Sequence, residues 1–245
     1  MLCSVYQLGR VGYREAYKLQ ADLLDRRLKG AIGDSLLLLE HPPTITIGKS
    51  GKPENILASQ AELIDRGIVL FFIDRGGDVT YHGPGQLVGY PIIDLKSRGR
   101  DLHRYVYDLE EVIIKTLSDF GIDAARDESH RGVWVAGREM AALGLRVRQW
   151  VTMHGFALNV NTDVEPFSLI NPCGFTDREA TSMARVLAQE IPMSAVIERM
   201  LARFSEVFGV DIKLGADSID REMLIEARDT EGRNHGDERK TAILV

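Results

Sequence analysis

The sequence predicts an α+β domain, a mixed sheet covered by helices. Helical periodicity of three and four residues appears in three well-separated stretches. Short apolar runs bounded by Gly or Pro lie between them. Strand-like and helical segments do not alternate strictly, which argues against an all-parallel α/β sheet.

The first helix is expected over residues 13–29, where Ala16, Leu19 and Leu23 form one stripe with Tyr17, Leu24 and Leu28 beside it, closed by Gly30. Ser35-Leu36-Leu37-Leu38-Leu39-Glu40 reads as a buried strand stopped by His41-Pro42-Pro43, and Val69 to Ile73 as another. That second run leads into Arg75-Gly76-Gly77-Asp78, a glycine-built loop. Leu102, Tyr105, Val106, Leu109, Ile113, Leu117 and Phe120 make the clearest helix, with Gly121 after it. Strands are expected at 132–135, 141–147 and 155–161. In the second of these, Leu143, Leu145 and Val147 alternate with Arg146 and Arg148, as a half-wet strand requires. A last helix uses Ile197, Met200, Leu201, Phe204 and Phe208, closed by Gly209. Beyond about residue 227 the chain is highly charged without apolar period. Residues 1–226 are therefore expected to form the functional domain, and 227–245 a disordered tail.

Composition narrows the function classes. Hydrophobic content of 44% and charged content of 27% are those of an ordinary globular chain, and 245 residues can bury a substantial core. The net charge of −6 argues against nucleic-acid binding by bulk electrostatics. No apolar run reaches the roughly 18 residues of a membrane span. Met1 to Tyr6 shows no basic region before a long apolar stretch, so no secretory signal is expected. Two cysteines, Cys3 and Cys173, make no disulfide framework and no zinc site by themselves; a reducing, cytoplasmic setting is expected, with no metal and no cofactor.

Three segments exceed what a fold alone requires. Arg75-Gly76-Gly77-Asp78-Val79-Thr80-Tyr81-His82-Gly83-Pro84-Gly85-Gln86 can turn tightly and approach a ligand while presenting polar heads. It reads equally well as a glycine-rich surface turn, and no Gly-Lys-Ser/Thr follows to make it a nucleotide loop. Met153 to Asn161 places a His-Gly step, His154-Gly155, at a strand start, where His154 is either at a pocket mouth or a structural residue. Asn171-Pro172-Cys173-Gly174 sets Cys173 on a rigid turn, which suits a nucleophile beside backbone N–H donors or a small buried hydrophobe.

Taken together with Glu40-His41-Pro42-Pro43, Leu87-Val88-Gly89-Tyr90-Pro91 and Ala141-Ala142-Leu143-Gly144-Leu145-Arg146-Val147, these segments resemble the lipoyl(octanoyl) transferase family. Order and gaps match across roughly residues 1–210. The resemblance implies the fold of biotin- and lipoate-protein ligases. It also implies octanoyl transfer from octanoyl-acyl carrier protein, through a thioester on Cys173, to a lysine of lipoyl domains, the first step of endogenous lipoate synthesis. The implied acceptors are the lipoyl domains of 2-oxoacid dehydrogenase complexes and the glycine cleavage H protein. The implied acyl pocket is lined by Arg75, Gly76, Gly77, Asp78, Val79, Thr80, Tyr81 and His82, completed by Ala142, Leu143, Gly144 and Gly155, Phe156, Ala157.

One position departs from the family pattern. Where the family carries a lysine that activates the cysteine, Gly137-Arg138-Glu139-Met140-Ala141-Ala142-Leu143-Gly144 places Glu139. A cation lowers a nearby thiol pKa and a carboxylate raises it, so Glu139 opposes thiolate formation. His82 or His154 is an alternative base. Two other readings follow: an ATP-dependent lipoate or biotin ligase on the same fold, and a non-catalytic relative that binds acyl groups or carrier proteins. An acidic carrier docked on an acidic chain needs a local basic patch, and Lys96, Arg98, Arg100 and Arg104, extended by Arg146 and Arg148, supply a candidate.

Overall fold

A computed structural model describes residues 1–127, 130–171, 179–215 and 243–244. In chain order the elements are β1 (Leu2–Arg10), α1 (Tyr13–Leu28), β2 (Asp34–Glu40), β3 (Thr44–Ile47), α2 (Gln60–Asp65), β4 (Val69–Phe72), β5 (Val79–His82) and β6 (Gln86–Ile92). They continue with α3 (Leu102–Ser118), β7 (Ala125–Arg126), β8 (Val133–Val135), β9 (Arg138–Arg148), β10 (Val151–Asn159), α4 (Met183–Leu187), α5 (Met193–Phe208), β11 (Asp211–Leu214) and β12 (Ile243–Leu244).

Eight strands form one mixed sheet in the order β11-β1-β2-β6-β10-β9-β8-β7. β1 pairs parallel with β2 and β11, whereas the pairs from β2 through β7 are antiparallel. Helix α1 covers one face, packing Ala16, Leu19, Leu23 and Leu24 on Leu37, Leu39, Val88 and Ala157. The opposite face buries Leu36, Leu38 and Phe156 under α3 and α5, which contribute Leu109, Ile113, Met200 and Phe204. Strands covered on both faces need apolar residues at every position, which is why β2 and β10 lack polar alternation. The helix ends follow local chemistry: Asp101 accepts from the Arg104 amide at 2.9 Å to start α3, and Gly209, at φ 59°, closes α5.

A smaller sheet, β12-β4-β3-β5, stands beside the first over its own core of Ile45, Ile47, Leu63, Val79, Tyr81 and Leu169. Two expectations change here. Val79–His82, read as part of a glycine-rich loop, is a strand, because it pairs with β3 in antiparallel register, Thr46 opposite Thr80. β9 begins at Arg138 rather than 141, drawn out by pairing with β8. Most of the proposed tail, 227–245, lies outside the described residues, but Ile243 and Leu244 pair with Leu70 and Phe71 of β4. No helix among the described residues is long and apolar enough to cross a membrane.

Candidate active site

The site forms where the segment following β4 crosses the free edge of β9. Past its pairing with β8, β9 has an open edge, and the Gly76 amide donates to the Leu145 carbonyl there at 2.8 Å. On the other side, the amides of Gly48, Lys49 and Ser50 donate to the carbonyls of Asp78, Arg75 and Gly77 at 2.9, 2.9 and 3.1 Å. The strip 75–78 is thus fixed by backbone bonds from both sides.

Arg75 is 8% exposed and threads between two glycines. Its Nη2 donates to the Thr46 carbonyl (2.9 Å) and to Thr46 Oγ1 (3.0 Å), and its Nη1 to the Gly76 carbonyl (3.1 Å). A β-carbon at Gly144 would lie 2.8 Å from Arg75 Cδ, so only glycine lets the arginine pass so close to β9.

Between this strip and the β9–β10 hairpin lies a cavity of about 590 Å³. The residues expected from the sequence at 75–80, His82, Ala142 to Gly144 and Gly155 to Ala157 all line it, and so does Glu139. Tyr81 does not. Strand alternation turns it into the small-sheet core, where its ring meets Phe167 edge-on at 5.5 Å. Leu102, Val106, Trp134, Leu145 and Phe167 add apolar wall, and Tyr13 and Tyr90 add phenols at the deep end. These were not singled out from the sequence. Tyr90 lay in a run used only for the resemblance, and Tyr13 looked like the opening of an ordinary amphipathic helix.

Proton positions at the deep end follow from the acceptors. His41 Nδ1 lies 2.8 Å from the Val11 carbonyl, which can only accept, so Nδ1 carries the proton. His41 Nε2, 2.8 Å from the Tyr90 hydroxyl, must then accept from it. Burial holds the His41 pKa down at about 4 and that of His82 well below its usual value. His82 Nδ1 donates to Gln86 Oε1 at 2.9 Å, and Gln86 Nε2 donates onward to Asn159 Oδ1 at 2.9 Å.

His154 belongs to a different cluster. Its Nε2 donates to Asp74 Oδ1 at 3.0 Å, while Asp74 also pairs with Arg146 and accepts from the Tyr17 hydroxyl at 3.2 Å. The His154 bond, with Arg146 supporting it, holds Asp74 below the usual carboxylate range, whereas burial lowers the His154 pKa. At neutral pH the contact is therefore a hydrogen bond from neutral imidazole, and Arg146 balances the Asp74 charge. His154 sits at φ 59°, an unfavourable backbone for a histidine, held by its amide donating to Gln20 Oε1 at 2.9 Å. His154 Nδ1 is buried, with no hydrogen-bond partner among the described residues. His154 nevertheless lines the cavity, next to Gly155.

Cys173 lies outside the described residues, which resume at Glu179. The chain on both sides of 172–178 is anchored at this site. Asn171 donates its amide to the Asn55 carbonyl at 2.7 Å, and Glu179 and Ala180 line the cavity next to Glu139. Cys3 is fully buried on the far side of the molecule's large core, and burial raises its thiol to about 12.

The suggested basic patch is only partly free. Arg98 Nη1 donates to the Phe208 carbonyl at 2.9 Å and the guanidinium lies 5.2 Å from the Phe208 ring centre, so Arg98 fastens the end of α5. Lys96 pairs with Asp94 and Arg104 with Asp108.

The family model for the lipoyl protein ligase A/B catalytic domain matches residues 12–205. This chain belongs to that family. An octanoyltransferase of Caldicellulosiruptor saccharolyticus is 46% identical over 234 residues, covering 94% of this chain and 100% of the relative. One of Solibacter usitatus is 49% identical over 214 residues, 87% of this chain and 96% of its own. Among solved structures, lipoate-protein ligase A bound with ATP superposes with a TM-score of 0.75 at 16% identity, covering 94% of this chain and 95% of that one. The biotin protein ligase of Aquifex aeolicus with biotin and ATP gives 0.53 at 14% identity, over 84% and 70%. These structures share with this chain the mixed sheet covered by helices that the sequence pattern predicted.

Proposed function

We propose that this chain is an octanoyltransferase that takes octanoyl from an acyl carrier protein onto Cys173 and passes it to a lysine of a lipoyl domain. The observation that carries this reading is the cavity floor. Ala142, Gly144, Gly155 and Ala157 leave a groove without bulky side chains between β9–β10 and the 75–82 strip, beside the anchored ends of the segment that holds Cys173. Burying an octanoyl chain there contributes roughly 0.8 kcal/mol per methylene before ordering costs. The cavity volume leaves space for the thioester and an approaching amine as well.

The chemistry balances without a further reactant. The Cys173 thiolate adds to the donor thioester carbonyl, and the donor thiol leaves with a proton. The lysine ammonium first gives one proton to solvent; the resulting amine adds to the enzyme thioester, and the Cys173 sulfur leaves with the single proton lost by the attacking nitrogen. Glu139, on the cavity wall, is the side chain that replaces the family lysine.

The ATP-dependent ligase reading rests on the fold alone. A reconstituted assay separates the two. Octanoyl-carrier protein and an apo lipoyl domain, without ATP, should give an octanoylated lysine by mass spectrometry. Product formed only from free octanoate and ATP would overturn the transferase reading.

A further inference from the structure

The mouth of the cavity can be located from exposure. Of its described lining residues, only Gly77, Arg131 and Glu179 are exposed. Glu179 is matched by Arg138, whose Nε lies 3.3 Å from its carboxylate. Arg131 has no hydrogen-bond or ion-pair partner among the described residues. On the Gly77 side, the Ser50 amide bonds the Gly77 carbonyl at 3.1 Å and the Lys49 amide bonds the Arg75 carbonyl at 2.9 Å. Lys49 therefore stands immediately outside the rim, exposed and likewise without a partner among the described residues.

The nearby acids are already engaged. Asp78 accepts from Asn55 Nδ2 at 2.6 Å and from the Val79 amide at 2.8 Å, and Asp127 lies 3.1 Å from His130 Nδ1. In a chain of net charge −6, Arg131 and Lys49 thus stand at two points of the cavity rim, neither with a side-chain partner among the described residues.

We propose that Arg131 and Lys49 form an anion subsite at the cavity mouth that holds a phosphate of the donor. This rests on the acyl-transfer reading above. An acyl group carried on a phosphopantetheine arm enters as a neutral chain trailing a phosphodiester. With the acyl end in the groove, the phosphate remains at the rim, where Arg131 offers a planar fork of donors and Lys49 a point charge. The subsite explains how an acidic enzyme accepts an acidic carrier without a broad basic face.

The test compares octanoyl-4′-phosphopantetheine with octanoyl-pantetheine, which differ by one phosphate group, as donors to the full chain with an apo lipoyl domain. The unmodified protein should use the phosphorylated donor with a higher kcat/KM. Lys49→Ala and Arg131→Ala should each reduce that preference by about tenfold, through KM, and leave octanoyl-pantetheine turnover unchanged. Equal use of both donors by the unmodified protein would overturn the subsite. So would variants that lose activity equally with both donors, or that are impaired only with the whole carrier protein, which would assign the cations to its acidic surface instead. Failure of every thioester donor with the unmodified protein would count against the transferase reading itself, and the subsite would fall with it.

Discussion

Glu139 and Ala180 face each other across an isolated parallel bridge: the Glu139 amide donates to the Glu179 carbonyl at 3.0 Å, and its carbonyl accepts from the Thr181 amide at 2.8 Å. Position 139 thus secures, through its backbone, the chain that follows residues 172–178, whatever side chain it bears. Glu139→Lys should therefore keep the fold and these two backbone bonds. It should also lower the Cys173 thiol pKa, since it exchanges a carboxylate for an ammonium on the cavity wall. The pH dependence of alkylation, in a Cys3→Ser background, measures this. Identical profiles would show that residue 139 and the sulfur do not communicate. The transfer rate should rise less than the thiolate fraction, because nucleophilicity falls with pKa.

The neutral histidines give the fold a defined acid limb. His41, His82 and His154 all have pKa values lowered by burial, His41 to about 4. A folded-state pKa below the unfolded value of about 6.5 gives stability that is present above that value and lost as pH falls toward the folded pKa. For His41, the loss between pH 6.5 and 5 is roughly 2 kcal/mol. Urea unfolding at pH 7.5 and 5.0 should show this fall, and His41→Leu should reduce the difference while lowering stability at both. A pH-independent midpoint in the parent would refute the neutral assignment.

Narrowing the groove should change chain-length preference. Ala142→Leu adds three carbons to the cavity wall without touching the Arg75 passage at Gly144. Octanoyl transfer should fall by about 10–100-fold relative to butanoyl, the equivalent of two or three methylenes left unburied. Equal losses for both acyl lengths would place the acyl chain elsewhere.

Arg98 and Arg100 should separate stability from docking. Arg98→Ala removes the bond to the Phe208 carbonyl and the ring contact, at roughly 1–3 kcal/mol of stability. Arg100→Ala, at an exposed position, should leave the melting temperature nearly unchanged. Differential scanning fluorimetry of the two variants checks this; equal melting temperatures would contradict the role given to Arg98.

How much of this was legible in the sequence depended on the range of the interactions involved. Helix α3 could be read because its stripe from Leu102 to Leu117 is local, and β2 because its unbroken leucines fit only a doubly covered strand. β5 was hidden inside a glycine-rich run, since its strand character comes from pairing with β3, more than thirty residues away in sequence. The cavity strip was visible as unusual chemistry, but what its glycines meet was not: Gly76 faces the Leu145 carbonyl and Gly77 the Arg75 guanidinium. Tyr13, Tyr90 and Trp134 were not found, because aromatic residues on apolar stripes look like core until the topology brings them to one cavity. Arg98 was misread for the complementary reason: a cation in a charged run looks solvated until a distant carbonyl, that of Phe208, is found beside it.

The central claim concerns one sulfur. The full chain, mixed with octanoyl-carrier protein in the absence of a lipoyl domain, should gain the mass of a single octanoyl group, removable by hydroxylamine and mapped to Cys173. Cys3, buried and with its thiol raised to about 12, should stay unmodified. Retention of hydroxylamine-labile acylation in Cys173→Ser at the parental rate would contradict the account.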